Sequence, residues 1–440
     1  MNSGRYQSWG RYPATEQTAR PVVWRDDRLP VEPDEGLTFL PFGNGRSYGD
    51  VCLNDGGVLL DCRSLDRFIS FDEVTGVLRC EAGVLLSEVL RLTVPKGWFL
   101  SATPGTQFAT IGGAIANDVH GKNHHDAGTF GSNVRRFELL RTDGSRLLCS
   151  PSENAEMFCA TIGGLGLTGV VVWAEVQLRQ VNNAFVDFEL IRYANLDEFF
   201  ELARESDRTF EHTVAWVDCL AGGDNLGRGL FMRGNPAQPV DGRLPKVSER
   251  NLRFPFDPPF TLVNSLTLKA FNYVYYHKQI SDSASGLMHY RKFFYPLDSI
   301  QQWNRIYGSK GFFQYQCVIP LGEMEFAIRE ILAKIAKENV GSFLAVLKLF
   351  GSKQSPGLLS FPMPGATLAL DFPNAGDKTL RFLDELDEIT LSGGGRVNPS
   401  KDARMSAKIF QAGFPNWTQM ENLIDPRISS SFWRRVTGGK

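Results

Sequence analysis

The sequence predicts an α+β protein built in more than one part, and three observations predict it. Its 440 residues exceed what a single compact core usually holds, so two domains are expected. Segments that alternate like strands are interleaved with segments of helical spacing, without the strict βαβ rhythm of a doubly wound sheet. Three glycine-rich turns fall close together in the N-terminal portion, at Gly43–Asp50, Pro104–Gly131 and Gly163–Gly169, and the composition changes after about Arg179. Hydrophobic residues at 42% and charged residues at 22% are ordinary for a globular enzyme, and a net charge of -2 gives no reason to expect a nucleic-acid partner.

Taken in order, Leu37–Gly43 reads as a short strand running into the loop GNGRSYGD. Its glycines, Gly43, Gly45 and Gly49, are one residue off the GxGxxG fingerprint, and the loop leads into DVCLNDGG rather than a clear helix, which rejects a Rossmann NAD site. Strands are expected at VLLDCRSL and GVLRCEAGV, with a helix over Val84–Val94 that Pro95 stops. VRRFELLRTDGSRLLCS reads as a hairpin with a type I′ turn at Asp143–Gly144. The cluster Gly163, Gly164, Gly166 and Gly169 leads into a long strand.

Beyond the boundary, Asn195 caps a helix with Glu198 completing a capping box, and TVAWVDCL, carrying Trp216, alternates like a strand. Arg253–Gln279 is rich in Phe, Tyr and Pro and irregular in period; it reads either as a core-packed connection or as an apolar lid. Strands at RKFFYPL, GFFQYQCVIP, SFLAVLKLFG and ATLALDFP alternate with helices at EMEFAIREILAKIAKEN and DKTLRFLDELDEITL, an order that places helices on one face of a sheet. Gly393–Gly395 closes the last of these, and Lys401 follows in a short strand or turn before another helix.

The stretch Pro104–Gly131 organises the rest. Glycines at that density let amides converge on an anionic ligand, and His120, His124 and His125, half of the six histidines, lie among them. The HxxxHH spacing lacks a nearby carboxylate or thiolate pattern, so no metal is expected. The seven cysteines are scattered, without a CxxC pair, which points to a reducing compartment. The N-terminus lacks the apolar core of a signal peptide, and no run is long enough to span a bilayer.

GNGRSYGD, PGT, IGGAIANDVHGKNHH, IGGLGLTG, WNRIYG, GFFQYQCVIP, LKLFG and SKDAR occur in this order from Gly43 to Arg404. Together they resemble the decaprenylphosphoryl-β-D-ribose 2′-oxidase family, within the vanillyl-alcohol-oxidase, PCMH-type FAD flavoproteins. The resemblance implies a PCMH-type FAD-binding domain over residues 1–180, a substrate (cap) domain of antiparallel sheet and helices over 181–395, and a C-terminal segment, 396–440, returning to the FAD domain. It implies that Gly45, Arg46, Ser47, Tyr48 and Gly49, then Pro104, Gly105, Thr106, Gly112 and Gly113, hold the nucleotide. By the same resemblance Asn117, His120, Gly121, Asn123, Gly164, Gly169 and Lys401 are expected to line the flavin, and Trp216, Tyr295, Gln314, Gln316 and Lys348 to meet the substrate. Many wider relatives join the flavin covalently to a histidine where this chain has Arg46, so the FAD is expected to be non-covalent.

Oxidising a secondary alcohol removes a hydride from the carbinol carbon and a proton from its hydroxyl, chemistry that a flavin accepts. His120 is the expected proton acceptor and Lys401 the cation beside the reduced ring, with Lys348 suited to a substrate phosphate. The family implies oxidation of a polyprenylphosphoryl ribose at its 2′-hydroxyl, with a separate NAD(P)-dependent reductase completing epimerisation to arabinose. The nearest rival is a sugar-alcohol or aldonolactone oxidase of the same superfamily. Mycobacterial members place cysteine and tyrosine where this chain has Ala369 and Asn398, and the second departure bears on substrate identity. The expected location is cytoplasmic, and the aromatic segment near Phe260 and Tyr276 permits peripheral contact with the inner membrane.

Overall fold

The computed structural model describes residues 6–32, 36–239, 252–279 and 281–438. Its N-terminal portion carries two sheets. In the first, Val58–Asp61 lies between Thr18–Pro21 and Phe39–Phe42, parallel to both, and all four of its residues are buried. An uninterrupted apolar run suits such a strand, covered on both faces. In the second, Val170–Gln180 is the central strand, flanked by Val77–Glu81 and Val134–Leu140, with Phe68–Asp72 and Arg146–Cys149 at the edges and Trp98–Leu100 also pairing with it.

The helix Leu86–Thr93 buries Leu86, Val89, Leu90 and Thr93, the stripe that its helical spacing predicts, and the chain tightens into a 3₁₀ turn at Val94–Lys96 around Pro95. The hairpin at 134–149 forms, but its turn is not type I′. Gly144 has φ +87° and Asp143 stays in the negative-φ region, while Arg141 N–H donates to Ser145 O at 3.0 Å. Type I′ needs two left-handed residues; this loop uses one, in the longer turn that ends in a glycine bulge.

The second portion is built on an eight-stranded sheet, with a separate parallel pair, Leu252–Arg253 and Ile300–Gln301. The order of the large sheet is Ser283–His289, Phe185–Tyr193, Gly229–Pro236, His212–Val217, Ala345–Phe350, Gly365–Pro373, Phe312–Pro320 and Arg396–Val397, all antiparallel. Period-two alternation divides the central strands. Ala215, Tyr315, Cys317, Leu347 and Leu368 pack in one core with Phe199 and Phe200 of the helix Leu196–Ser206, with Ile328 and Ile331 of Met324–Glu338, and with Leu383 and Leu386 of Asp377–Ser392. The residues between them face the other way, toward the N-terminal glycine turns.

Two local expectations change. RKFFYPL is not a strand: Tyr290–Phe294 is a helix, and Pro296–Ser299 is a 3₁₀ turn. Tyr290, Phe293 and Phe294 are buried at helical spacing, and the His289 side chain accepts from Arg291 N–H at the helix start. Arg253–Gln279 carries features of both readings: the helix Ser265–His277, capped by Asn264, buries Leu268 and Asn272, and Val263 and Leu268 pack with Trp303, Tyr307 and Phe312, whereas Phe260 and Leu266 are 69% and 77% exposed. The cap at Asn195 forms, with Asn195 Oδ1 accepting from Glu198 N–H, but Glu198 reaches back to Ala194 N–H rather than to the cap residue.

The last segment runs back onto the first. Gly394, at φ +68°, ends the helix Asp377–Ser392, and Arg396–Val397 forms the edge of the large sheet. Thereafter Tyr48 N–H donates to Ser400 O, Phe39 N–H to Arg427 O and Asp425 N–H to Leu167 O. Arg435 spans Asp50 and Asp402, both buried, at 2.7 and 3.0 Å.

Candidate active site

Between the glycine turns and the open face of the large sheet lies a cavity of about 780 Å³. That is within the roughly 300–1,000 Å³ usual for cofactor and ligand sites. The first turn is held from both sides: Ser47 O accepts from Trp9 N–H, Tyr48 O from Gly10 N–H, and Tyr48 N–H donates to Ser400 O. Gly45 sits at φ +58°, where a side chain is strained. Arg46 lies over the Trp9 ring at 4.4 Å, and its buried Nε has no partner in the protein. Burial lowers its pKa, against the opposing pull of Asp298.

The organising stretch supplies the opposite wall. Thr110 caps the short helix Ile111–Ala116 by accepting from Gly113 N–H at 3.0 Å, which presents Gly112 and Gly113 to the cavity. Asn117 follows, its Nδ2 donating to Gly113 O and its Oδ1 buried without a partner. Pro104, Gly105, Thr106, His120, Gly121 and Gly169 also line the space.

The sheet face provides a row across four strands, Trp216, Val346, Ala369 and Gln316, beside the pairs Lys348–Thr367 and Gln314–Asp371. Gln316 Nε2 contacts His120 Nε2 at 3.1 Å, and Lys348 Nζ donates to Gly121 O at 2.8 Å. Lys401, in the turn after Asn398, places its ammonium 4.2 Å from the centre of the Tyr48 ring. Burial lowers Lys401 to about 8, with Asp371 partly opposing the fall, and burial and Lys401 together bring Lys348 to about 7. Burial, then Lys348, His124 and Lys401, hold His120 well below 6.5, so its imidazole is neutral at pH 7.

Four of the residues expected at the site stand off the cavity wall. A side chain at Gly49 would run into the Asp402 carbonyl and one at Gly164 into the Ala160 carbonyl, so these glycines serve backbone packing. Asn123 Nδ2 donates to Ser101 O and to Glu211, and Tyr295 OH pairs with Thr103 Oγ1 at 2.6 Å behind the wall. His120 and His124 both pack on the Phe350 ring, while His125 contacts Phe210 O.

Sequence reasoning missed Asp371. It is fully buried, accepts from Gln314 Nε2 at 2.6 Å and from Tyr307 OH at 3.5 Å, and burial raises it to about 7. A lone acid in the apolar strand ATLALDFP was the available signal.

The FAD binding domain family matches residues 32–150. Decaprenylphosphoryl-β-D-ribose oxidase of Mycolicibacterium smegmatis is 34% identical over 441 residues, covering 96% of this chain and 94% of that protein. The chain belongs to the decaprenylphosphoryl-β-D-ribose oxidase family. An uncharacterised Streptomyces coelicolor protein is 32% identical over 80% of this chain and all of its own length. Mouse L-gulonolactone oxidase is 30% identical over 31% of this chain and 30% of its own.

Family membership makes the chain an FAD-dependent oxidoreductase with a PCMH-type fold. The cavity fits that cofactor. Arg46 Nε and Asn117 Oδ1, a donor and an acceptor left unpaired by the protein, both belong to wall residues, and the glycine turns leave backbone rather than side chains facing the space. Among the described residues no helix is long and apolar enough to cross a membrane.

Proposed function

We propose that this enzyme oxidises the 2′-hydroxyl of a polyprenylphosphoryl ribose to a 2′-keto sugar, the first half of epimerisation to arabinose, which a separate NAD(P)-dependent reductase completes. The near full-length relation to an oxidase of decaprenylphosphoryl ribose carries the reading. The match to L-gulonolactone oxidase covers less than a third of either chain, and so supports the aldonolactone alternative less well.

In this reading residues 1–180 and 396–440 form the FAD domain and 181–395 the substrate domain. Arg46, Ser47, Tyr48, Gly105, Thr106, Gly112, Gly113 and Asn117 hold the FAD without a covalent bond, Arg46 offering no imidazole for one. Bound there, the flavin supplies the two-electron oxidant. Lys401 holds positive charge beside it, which its position on Tyr48 and the nearby Asp371 maintain. Trp216, Gln314 and Gln316 orient the sugar, and a substrate phosphate restores the charge that burial weakens on Lys348.

His120 accepts the hydroxyl proton at Nε2. Its neutral form is available throughout the physiological range, but its lowered pKa makes it a weak base, so its removal belongs at the lower end of the usual range for general bases. His120→Ala is expected to slow substrate-driven flavin reduction about 100-fold. Lys401→Met is expected to slow it by a similar factor of about 100. Wild-type rates in both variants would refute these roles.

The exposed apolar side chains of Phe256, Phe260, Leu266, Tyr273 and Val274 support peripheral membrane contact, on the same segment that brings Tyr275 to the cavity. Cosedimentation with phosphatidylglycerol–phosphatidylethanolamine vesicles checks it. Phe260→Ser with Leu266→Ser should weaken binding at least about tenfold. Equal binding by wild type and variant would contradict this surface.

A further inference from the structure

We propose that Asn398 and Thr367 lock the Gln316 amide so that its N–H, and not its oxygen, meets His120 Nε2, holding the imidazole as the Nδ1–H tautomer with Nε2 bare.

The assignment follows from two groups whose hydrogen-bonding sense cannot change. Ser400 N–H, a backbone donor, points at one end of the Asn398 amide at 3.0 Å, and Ser400 Oγ meets the same atom at 2.9 Å. That atom is therefore Oδ1, which makes the other end of the amide Nδ2, a donor. It lies 3.0 Å from Gln316, so the facing atom of Gln316 is Oε1. The remaining end of Gln316 is then Nε2, 3.1 Å from His120 Nε2. A donor there requires a lone pair on the ring nitrogen, and a neutral ring then carries its proton on Nδ1.

The second anchor is independent of the first. Cys317 O accepts from Thr367 Oγ1 at 2.8 Å, which uses that hydroxyl's proton. Toward Gln316, 3.1 Å away, Thr367 Oγ1 is thus an acceptor, and only Nε2 satisfies it. Asn398, Gln316 and Thr367 are all buried, so a reversed Gln316 amide would leave donor against donor and acceptor against acceptor out of reach of water.

Asn398 N–H also donates to Gln316 O at 2.8 Å, so backbone and side chain of the two residues are joined. Asn398 is thereby a positioning residue, acting on the imidazole through Gln316. The lock is built from Asn398 and Thr367, one on each side of the Gln316 amide. Its catalytic use rests on the reading of His120 as proton acceptor: the bare nitrogen is kept from protonating by a neutral donor until a substrate hydroxyl replaces that donor.

The test is ¹⁵N NMR of the FAD-bound enzyme labelled at histidine, at about pH 8, where the ring is neutral. His120→Gln identifies the His120 signals by their loss. In wild type Nε2 is expected in the pyridine-like range and Nδ1 in the pyrrole-like range. Asn398→Asp with Thr367→Val sets an acceptor-only group against Gln316 Oε1 and removes the second anchor, which turns the Gln316 amide and moves the ring proton to Nε2. Asn398→Leu with Thr367→Val removes both anchors and should show the two tautomers mixed. A pyrrole-like Nε2 in wild type overturns the proposal, whether or not the variants fold. An unchanged tautomer in the folded variants overturns the role of Asn398 and Thr367. Flavin bleaching of wild type by polyprenylphosphoryl ribose tests the proposed reaction separately, so the lock can stand where that reaction fails and fall where it holds.

Discussion

The electrostatics of single residues set how the site should respond to pH. The Lys401 ammonium is present below its pKa and lost above it, and burial has brought that pKa down from 10.5 to about 8. Substrate-driven flavin reduction should therefore fall as pH rises through about 8, measured by stopped-flow absorbance. A fall only near the ordinary lysine value of 10.5 would contradict the assignment. Asp371 raises the Lys401 pKa, so Asp371→Asn should move the limb to lower pH. The place of His120 and Lys401 on the cavity wall was legible in the sequence because ordered motifs carried them. Asp371 was not, because a strand's alternation tells which face a residue takes and not what lies behind that face. Asn123 and Tyr295 stand at helix ends rather than in strands, and their motifs did not show that their polar groups are spent on Ser101 and Thr103.

At the scale of elements, glycines that look alike in the sequence do different work. A Cβ at Gly49 has the Asp402 backbone in its way, whereas one at Gly105 meets nothing within 4 Å and faces the cavity. Gly49→Ala should therefore destabilise the fold by about 1–3 kcal/mol, read from thermal melting. Gly105→Ala should leave the stability of the FAD-free protein within about 0.5 kcal/mol while weakening FAD binding. The opposite pattern, or a flavin that stays on acid-denatured protein, would contradict the cradle as drawn. Long periodic helices such as Met324–Glu338 were legible, as were the strands Phe312–Pro320 and Gly365–Pro373. RKFFYPL was not: its aromatic residues suit a strand by type, and only their burial at i, i+3 and i+4 shows that tertiary packing favours a helical turn.

Across the whole molecule, the site is an assembly of distant segments. Tyr48, His120, Gln316, Lys348 and Lys401 come from five separate stretches, and the backbone bond from Tyr48 to Ser400 joins the beginning of the chain to its end. A change in composition suggested the first boundary near Arg179, but the return of the C-terminal segment onto the N-terminal sheets rests on contacts such as Arg435 with Asp50, which no local pattern encodes. The central claim is that this assembly brings a flavin and the 2′-hydroxyl of a lipid-linked ribose together. Anaerobic mixing of the FAD-bound enzyme with polyprenylphosphoryl ribose tests it most directly. The flavin absorbance should bleach and a 2′-keto sugar should form; a flavin that stays oxidised with that substrate but bleaches with a free sugar alcohol or aldonolactone would contradict the account.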